Sequence, residues 1–288
     1  MARHPDVQGF FDPATHTITY LVSDPATGTA AIIDPVLDYD PATARTSTRS
    51  VDQVMKALRD AGLTLGLVLE THAHADHLTA ADHLRVTEGV EIGIGDQITR
   101  VQSTFAPLFG ASDVTPDGHV FDHLYGDGHV FSLGALSVEV IQTPGHTPAC
   151  VSYRIGDAVF TGDTLFMPDY GTARTDFPGG DARTLYRSIH KLLALPGDTR
   201  IFVGHDYLPS GRSDYRFETT VDEQRTGNIH VGRSATEDAF VSMREARDAT
   251  LNAPALILPS LQVNIRAGGM PPPDLDGHRY LRMPLNVL

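Results

Sequence analysis

The feature that most restricts the fold is a seven-residue segment, 71–77, with the sequence Thr-His-Ala-His-Ala-Asp-His. It directly follows the apolar run 65–69 and carries four side chains that can bind a metal: His72, His74, Asp76 and His77. Because a short apolar run predicts a buried strand, we expect these side chains in a loop at the end of that strand. Alternate residues of the loop can converge on one point, while Asp76 and His77 turn to a second point nearby. Imidazole and carboxylate suit zinc, iron and manganese alike, so the segment predicts a metal centre.

Three further residues that can bind a metal each follow a predicted strand: His146, Asp163 and His205. His146 stands within Thr-Pro-Gly-His-Thr, where proline and glycine predict a tight turn. Asp163 follows a glycine and can bind one metal or bridge two. A lone histidine such as His146 or His205 is more often a hydrogen-bonded polar residue than a metal ligand. Because segment 71–77, His146, Asp163 and His205 all follow predicted strands, we expect metal binding instead.

The chain is predicted to alternate strands and helices twice, which suits two sheets packed face to face with helices outside. Besides the strands described above, we expect a hairpin over 17–33 and helices near 51–58, 78–88 and 182–193. Residues 95–128 are rich in glycine, aspartate and histidine and are predicted to be irregular. Periodicity alone leaves other α/β architectures open.

We divide the chain into a catalytic domain, residues 1–220, and a C-terminal extension, residues 221–288, that packs on the same domain. The extension is predicted to hold one helix after Ser234 and to be largely extended through its proline-rich tail.

Composition restricts the partners and the compartment. A formal net charge of −14 argues against nucleic-acid binding. The sequence contains no run of about 18 apolar residues, so we expect no membrane-spanning helix. The single cysteine, Cys150, is predicted to be a buried core residue and fits a reducing compartment. With no apolar secretory core at the N-terminus, we expect a cytoplasmic protein without nucleic-acid or membrane partners.

The HxHxDH segment, followed by His146, Asp163 and His205, resembles the metallo-β-lactamase superfamily over roughly residues 15–210. The resemblance implies an α/β fold, the αβ/βα sandwich, with two mixed β-sheets and helices on the outer faces. It places the metal at one edge of the sheets. The reaction is left open, because this fold supports many chemistries.

Within that superfamily the chain is most similar to the persulfide dioxygenases (sulfur dioxygenases), relatives of glyoxalase II. Four local matches carry the similarity: Thr-Pro-Gly-His-Thr followed by Cys150, Arg174-Thr175-Asp176-Phe177, His205-Asp206-Tyr207 and Asn264-Ile265-Arg266. The chain departs from the pattern at 169–173, which is lengthened, and matches it more loosely beyond Val221.

This similarity implies one Fe(II) per chain, held by His72, His146 and Asp163, with positions left open for substrate sulfur and O₂. The implied reaction converts glutathione persulfide, O₂ and water into glutathione and sulfite. The other histidines and Asp76 would then form an outer shell that orients the ligands and hydrogen-bonds metal-bound groups: His74, Asp76, His77 and His205.

Further catalytic roles are expected at three residues beside the centre. Asp176 is expected to hold His205 or His77, and Arg174 to fix that carboxylate; a purely structural Arg174–Asp176 ion pair is the alternative. Tyr207 is expected to place its hydroxyl in the metal pocket, and a packed core tyrosine is its alternative.

Glutathione carries two carboxylates, so its binding calls for arginine or backbone donors. The candidates are Arg212, Arg216, Arg225 and Arg266. We favour Arg266, together with Asn264 and Tyr207, because its glycine-rich neighbourhood suggests a shaped loop.

The main alternative function is a binuclear zinc hydrolase of glutathione thioesters, similar to glyoxalase II. One zinc would bind His72, His74 and His146, the other Asp76, His77 and His205, with Asp163 as the bridge and a metal-bound hydroxide as the nucleophile. A metal- or sulfur-sensing module and a true β-lactamase are weaker alternatives. A homodimer is expected from the family alone.

Overall fold

The computed structural model describes residues 4–232 and 235–286. These residues contain fifteen strands and seven helices. The strands are Asp6–Asp12 (β1), Thr17–Ser23 (β2), Thr29–Ile33 (β3), Val36–Asp40 (β4), Arg45–Ser47 (β5), Thr64–Leu69 (β6), Leu78–Thr79 (β7), Glu91–Gly95 (β8), His123–Tyr125 (β9), Val130–Leu133 (β10), Leu136–Gln142 (β11), Val151–Ile155 (β12), Ala158–Phe160 (β13), Arg200–Phe202 (β14) and Glu218–Thr220 (β15). The helices are Arg49–Asp60 (α1), Ala81–Glu88 (α2), Ile98–Leu108 (α3), Ala182–Leu193 (α4), Val221–Gly227 (α5), Glu237–Asp248 (α6) and Ile257–Asn264 (α7).

Two mixed sheets of six strands carry the fold. The first has the order β1-β2-β3-β6-β8-β9 and is parallel from β3 to β9. The second has the order β10-β11-β12-β13-β14-β15, in which β13 and β14 are parallel and the other neighbours antiparallel. A small third sheet, β5-β4-β7, lies beside the histidine segment.

Alternation along the strands places one core between the two large sheets. Ile18, Tyr20 and Val22 of β2 pack into the cluster that contains Tyr153 and Phe160 of the second sheet. Leu21, between them, faces the opposite side and packs with the helices. Successive side chains of β2 thus point to opposite faces of the sheet, and both faces are covered.

Helices cover the two outer faces, so the layers are helix, sheet, sheet and helix. On the first sheet, α1 presents an apolar stripe at Val51, Val54, Met55 and Leu58, the spacing of one helical face. Helix α4 packs on the second sheet through its own stripe, which includes Leu185 and Ile189. These layers confirm the predicted αβ/βα sandwich.

Two predictions about residues 78–193 need correction, and two are confirmed. The segment 95–128 is not irregular throughout, because it contains α3, whose residues 98, 101 and 105 are buried on one face. The helix expected from residue 78 begins at Ala81, since the two residues of β7 pair with β4. Helix α4 has the predicted bounds, and Asp181 accepts the backbone N–H of Thr184 at 2.7 Å as its cap. Cys150 is buried as predicted, and burial raises the pKa of its thiol to about 12.

The C-terminal part holds three helices, α5 to α7, where the sequence predicted one. Helix α7 was missed because residues 260–264 are buried in succession, so its polar and apolar residues show no amphipathic period. The predicted helix corresponds to α6, which begins after Thr236; Ser234 lies outside the described residues. Within the described ranges, no helix combines the length and apolar character needed to cross a membrane.

Candidate metal centre

Loops at the ends of four strands, drawn from both large sheets, meet at one edge of the sandwich. Segment 70–77 follows β6 of the first sheet. His146 follows β11, Asp163 follows β13 and His205 follows β14, all in the second sheet. Thr17 of the first sheet forms a β-bridge with His205, so the two sheets are joined beside the centre.

Gly162 lets the Asp163 loop approach the histidine segment. Its φ of +47° lies in the left-handed region, and a Cβ there would stand 2.3 Å from Thr71 Oγ1. The Thr71 hydroxyl is itself fixed, because it donates to Asp34 Oδ2 at 2.8 Å. A larger residue at 162 would therefore strain the backbone and push the two loops apart.

His72, His146 and Asp163 are buried, and their ligand atoms all lie within 4.8 Å of one another. His146 Nε2 is 3.7 Å from Asp163 Oδ2, and the rings of His72 and His146 meet edge to face, with centroids 5.2 Å apart. Two imidazoles and one carboxylate are the donor set of the non-haem iron triad.

In His72 and His146, a hydrogen bond donated by Nδ1 turns Nε2 of the same ring toward the centre. His146 Nδ1 donates to the carbonyl oxygen of Arg174 at 2.8 Å. His72 Nδ1 lies 3.0 Å from Thr71 Oγ1, which accepts from it because the hydroxyl proton already goes to Asp34. Burial, helped by neighbouring histidines, holds the pKa of His72 well below its usual value, so this ring is neutral, the form in which imidazole can bind a metal.

His74 is held differently, between two buried carboxylates. Its Nε2 lies 3.0 Å from Asp34 Oδ1 and 3.4 Å from Glu70 Oε2. Burial lowers the pKa of His74, but Asp34 and Glu70 outweigh it and raise that pKa well above its usual value. For the carboxyl group of Glu70, burial has the opposite effect and raises the pKa to about 7. The pair of carboxylates thus fixes the ring with Nδ1 facing away from them.

Asp76, His77 and His205 form the remaining part of the centre. Asp76 Oδ2 lies 3.3 Å from His77 Nδ1 and 3.4 Å from His205 Nε2. His205 Nε2 is also 3.3 Å from Asp163 Oδ1, which links this group to the triad. Burial raises the pKa of Asp76, but His205 and His77 outweigh it, and the pKa lies well below its usual value.

The donor atoms left without protein partners fit a metal. Among the described residues, His72 Nε2, His74 Nδ1 and His77 Nε2 are buried and have no hydrogen-bond partner. Buried polar atoms are almost always paired, so unpaired imidazole nitrogens concentrated at one place fit metal coordination. The group His72, His146 and Asp163 could hold one metal. The group His74, Asp76 and His77 also lies within 4.8 Å and could hold another.

A cavity of about 350 Å³ opens onto the centre at Asp76, His146 and Asp163. Its other walls are aromatic and aliphatic side chains with three arginines: Phe166, Tyr170, Tyr207, Leu251, Leu256, Arg174, Arg244 and Arg247. Its size and mixed walls are those of a small-molecule site.

Tyr207 lies in this cavity, where the sequence placed it. Its ring stacks on His205, with centroids 5.4 Å apart and an interplanar angle of 17°, and contacts Tyr170 at 5.0 Å. Burial raises the pKa of the hydroxyl, and the charges of Asp163 and Asp76 raise it further. The hydroxyl is therefore protonated and close to the carboxylates of the centre.

Arg174 lines the cavity, but its partner Asp176 does not act as expected. Arg174 makes a bidentate ion pair with Asp176, at 2.5 and 2.6 Å, and donates to the carbonyl oxygen of Asn252 at 2.7 Å. The expectation that Asp176 holds His205 or His77 is wrong, because those histidines contact Asp76 instead. The Arg174–Asp176 pair is the structural alternative considered above.

Asn264 and Arg266, expected at the substrate, lie elsewhere. Asn264 is buried and donates to the carbonyl oxygens of His74 and His77, both at 2.8 Å. Arg266 makes a bidentate pair with Asp113, both contacts at 2.7 Å, and lines a separate cavity of about 150 Å³. Two other arginines weighed for the substrate are also engaged elsewhere, Arg212 with Asp206 and Asp169 and Arg225 with the carbonyl oxygens of Leu193 and Leu195.

The sequence analysis missed the residues that support the centre and the cavity. Asp34 and Glu70 each directly follow a strand, close to the strand-end loops that carry the candidate ligands, and this position was a usable signal. Arg244 and Arg247 are spaced three apart on α6 and thus share a helical face, but the sequence held no sign that this face meets the centre.

Comparison with known proteins agrees with this geometry. Residues 13–205 match the family model described as the metallo-beta-lactamase superfamily. A probable metallo-hydrolase of Burkholderia pseudomallei is 53% identical over 98% of this chain and 99% of its own length. A beta-lactamase hydrolase-like protein of Xylella fastidiosa is 48% identical over 99% of this chain, which spans 65% of that protein.

Similarity extends to proteins named as persulfide dioxygenases. The mitochondrial persulfide dioxygenase ETHE1 of Homo sapiens is 35% identical over 91% of this chain and 88% of its own length. The crystal structure of ETHE1 from Myxococcus xanthus superposes with a TM-score of 0.74 and 31% identity, covering 92% of this chain and 100% of that one.

Proposed function

The chain belongs to the metallo-β-lactamase superfamily, and we propose that it is an iron-dependent persulfide dioxygenase. The proposed reaction takes glutathione persulfide, O₂ and water to glutathione and sulfurous acid, which ionises to sulfite. All three oxygen atoms of the product are supplied by O₂ and water, and the persulfide sulfur is the electron donor.

The observation that carries the proposal is the separate grouping of His72, His146 and Asp163, whose ligand atoms lie within 4.8 Å of one another. Such a triad leaves coordination positions open for a sulfur ligand and O₂ on the same iron. His74 does not belong to this group, and its Nε2 is engaged with Asp34 and Glu70. Similarity to the human and Myxococcus xanthus ETHE1 proteins supports the same assignment.

An iron ion bound there would supply a path for electrons from the persulfide sulfur to O₂. The protein's own residues would orient the reactants. The cavity admits the persulfide, and its aromatic walls at Phe166, Tyr170 and Tyr207 exclude bulk water. Asp76 stays ionised and can accept a hydrogen bond from a water at the centre, while the protonated Tyr207 hydroxyl can donate one.

A second function is favoured by one specific observation. His74, Asp76 and His77 also form a compact group, so the chain could hold two zinc ions and hydrolyse a glutathione thioester. Names given to similar proteins, such as the metallo-hydrolase of Burkholderia pseudomallei, fit this alternative. In that case all seven residues of the centre would be ligands.

The deciding experiment combines metal analysis with turnover. The protein would be purified anaerobically from iron-supplemented cells, and its metal content measured beside O₂ uptake with glutathione persulfide. About one iron per chain, with one sulfite released per O₂ consumed, is the expected result. Two zinc ions per chain, no O₂ uptake and hydrolysis of S-lactoylglutathione would overturn the proposal in favour of the hydrolase.

A further inference from the structure

The cavity above the metal centre is lined by three arginines, Arg174, Arg244 and Arg247, although the whole chain carries a net charge of −14. Two carboxylates also line it, Asp76 and Asp163, but both belong to the metal centre. Three guanidinium groups in one small cavity indicate a negatively charged ligand, unless each is already neutralised by the protein.

Arg174 and Arg244 are neutralised by the protein. Arg174 pairs with Asp176 and donates to a backbone carbonyl. Arg244 is fully buried, makes contacts of 2.9 and 2.7 Å with Asp248, and donates to the carbonyl oxygen of Thr172 at 3.1 Å. Both guanidinium groups thus serve to build the cavity wall.

Arg247 differs from both. It lies one turn after Arg244 on α6 and is exposed. Throughout residues 4–232 and 235–286, no carboxylate oxygen lies within 4.0 Å of its guanidinium nitrogens, and that group makes no hydrogen bond. The neighbouring lining residue Leu251 is also exposed, whereas His146 and Asp163 are buried. The cavity therefore runs from an outer end at Arg247 to an inner end at the centre.

We propose that Arg247 binds a carboxylate of the thiol substrate at this outer end, while the substrate sulfur reaches the inner end. The inference rests on the proposed function and narrows its substrates to thiol persulfides that carry a carboxylate some distance from sulfur, as glutathione persulfide does. Arginine suits this role because its planar guanidinium binds a carboxylate through two parallel hydrogen bonds.

The test compares Arg247→Gln with Arg59→Gln, which removes the same charge from an exposed position on α1, outside the lining of the cavity. With glutathione persulfide, Arg247→Gln is expected to raise KM about tenfold and to leave kcat unchanged. Arg59→Gln should change neither. With the persulfide of 2-mercaptoethanol, which lacks a carboxylate, Arg247→Gln should match the wild type.

A binding measurement separates this inference from the proposed function. Titration calorimetry of the metal-loaded protein with S-methylglutathione, which cannot be oxidised as a persulfide, should show the same loss of affinity in Arg247→Gln. If the wild type consumes no O₂ but this loss appears, the proposed function fails and the carboxylate site stands. If KM for glutathione persulfide and the Kd for S-methylglutathione are both unchanged in Arg247→Gln, the inference is overturned.

Discussion

The side-chain amide of Asn264 donates a hydrogen bond to the carbonyl oxygen of His77 at 2.8 Å, across 187 positions of the chain. The same amide nitrogen donates to the carbonyl oxygen of His74, and the amide oxygen accepts the N–H of Thr79 at 2.9 Å. One buried side chain of α7 thus satisfies two backbone groups of the histidine segment and one of the adjoining β7. The C-terminal part of the chain thereby fixes the path of the loop that carries four residues of the metal centre.

Replacing Asn264 by alanine should destabilise the protein and weaken metal binding. Two carbonyl oxygens and one N–H would lose their partner in a buried place, which costs about 3 kcal/mol of unfolding free energy. Metal affinity should fall roughly 10- to 100-fold, because the loop would no longer be held in place. Urea denaturation of the metal-free protein and competition with a chelator would measure the two effects.

Gln262→Ala is the matched control for Asn264→Ala. Gln262 is buried on the same helix and also makes three hydrogen bonds, but with Leu258 and Arg282 rather than with the histidine segment. We expect a similar loss of stability with metal affinity unchanged. Equal losses of affinity in both variants would show that Asn264 acts only through general stability.

Metal removal and two histidine variants test which residues hold the ion. Chelation should lower the free energy of unfolding by about 3 kcal/mol relative to protein with free metal at a hundred times its Kd. His72→Ala should abolish this difference, since His72 belongs to the triad. His74→Gln, whose amide can still donate to Asp34, should keep one bound iron per chain. Loss of iron binding in His74→Gln, measured by metal analysis after gel filtration, would contradict the mononuclear assignment.

Local sequence was sufficient to predict which side chains meet at one edge of the sandwich. His72, His146 and Asp163 each lie in the loop that follows a strand, and strand ends meet at an edge of the sandwich once the two sheets pack. Asp34 and Glu70 occupy the same kind of position and could have been found by the same rule.

Contacts between distant segments could not be predicted. Asn264 and Arg266 are two positions apart, yet one braces the histidine segment and the other pairs with Asp113. Only the packing of α7 decides this, and its continuous burial hides the helix from any periodic pattern. Arg247 reaches the cavity through the packing of α6. The sequence predicted this helix but not the surface against which it packs.

Tyr207→Phe tests whether the hydroxyl takes part in turnover. The ring contacts with His205 and Tyr170 would remain, so the melting temperature should not change. We expect kcat to fall about tenfold, the effect of losing one hydrogen bond to a charged group, with KM unchanged. Tyr170→Phe, in the same cavity, is the control and should retain full kcat. Steady-state O₂ uptake measures both, and an unchanged kcat in Tyr207→Phe would assign Tyr207 a packing role only.

His230 should make stability depend on pH independently of the metal. This half-buried ring accepts the N–H of Thr172 at 3.0 Å, and burial, aided by Arg244 and Arg247, lowers its pKa to about 4. In the unfolded chain its pKa returns to about 6.5. Between these values the unfolded state binds more protons. The contribution of His230 to stability is therefore fully present above about pH 6.5 and is lost as the pH falls toward 4.

The full pKa difference would correspond to about 3 kcal/mol, and partial exposure of the ring reduces this to about 2 kcal/mol. Urea denaturation of the metal-free protein at pH 7.5 and pH 4.5 would measure the loss, and His230→Gln should lose correspondingly less on acidification. Other groups titrate in the same range, but they are common to both proteins and cancel in the difference. Parallel pH profiles for the two proteins would mean that His230 is protonated as readily in the folded state as in the unfolded one.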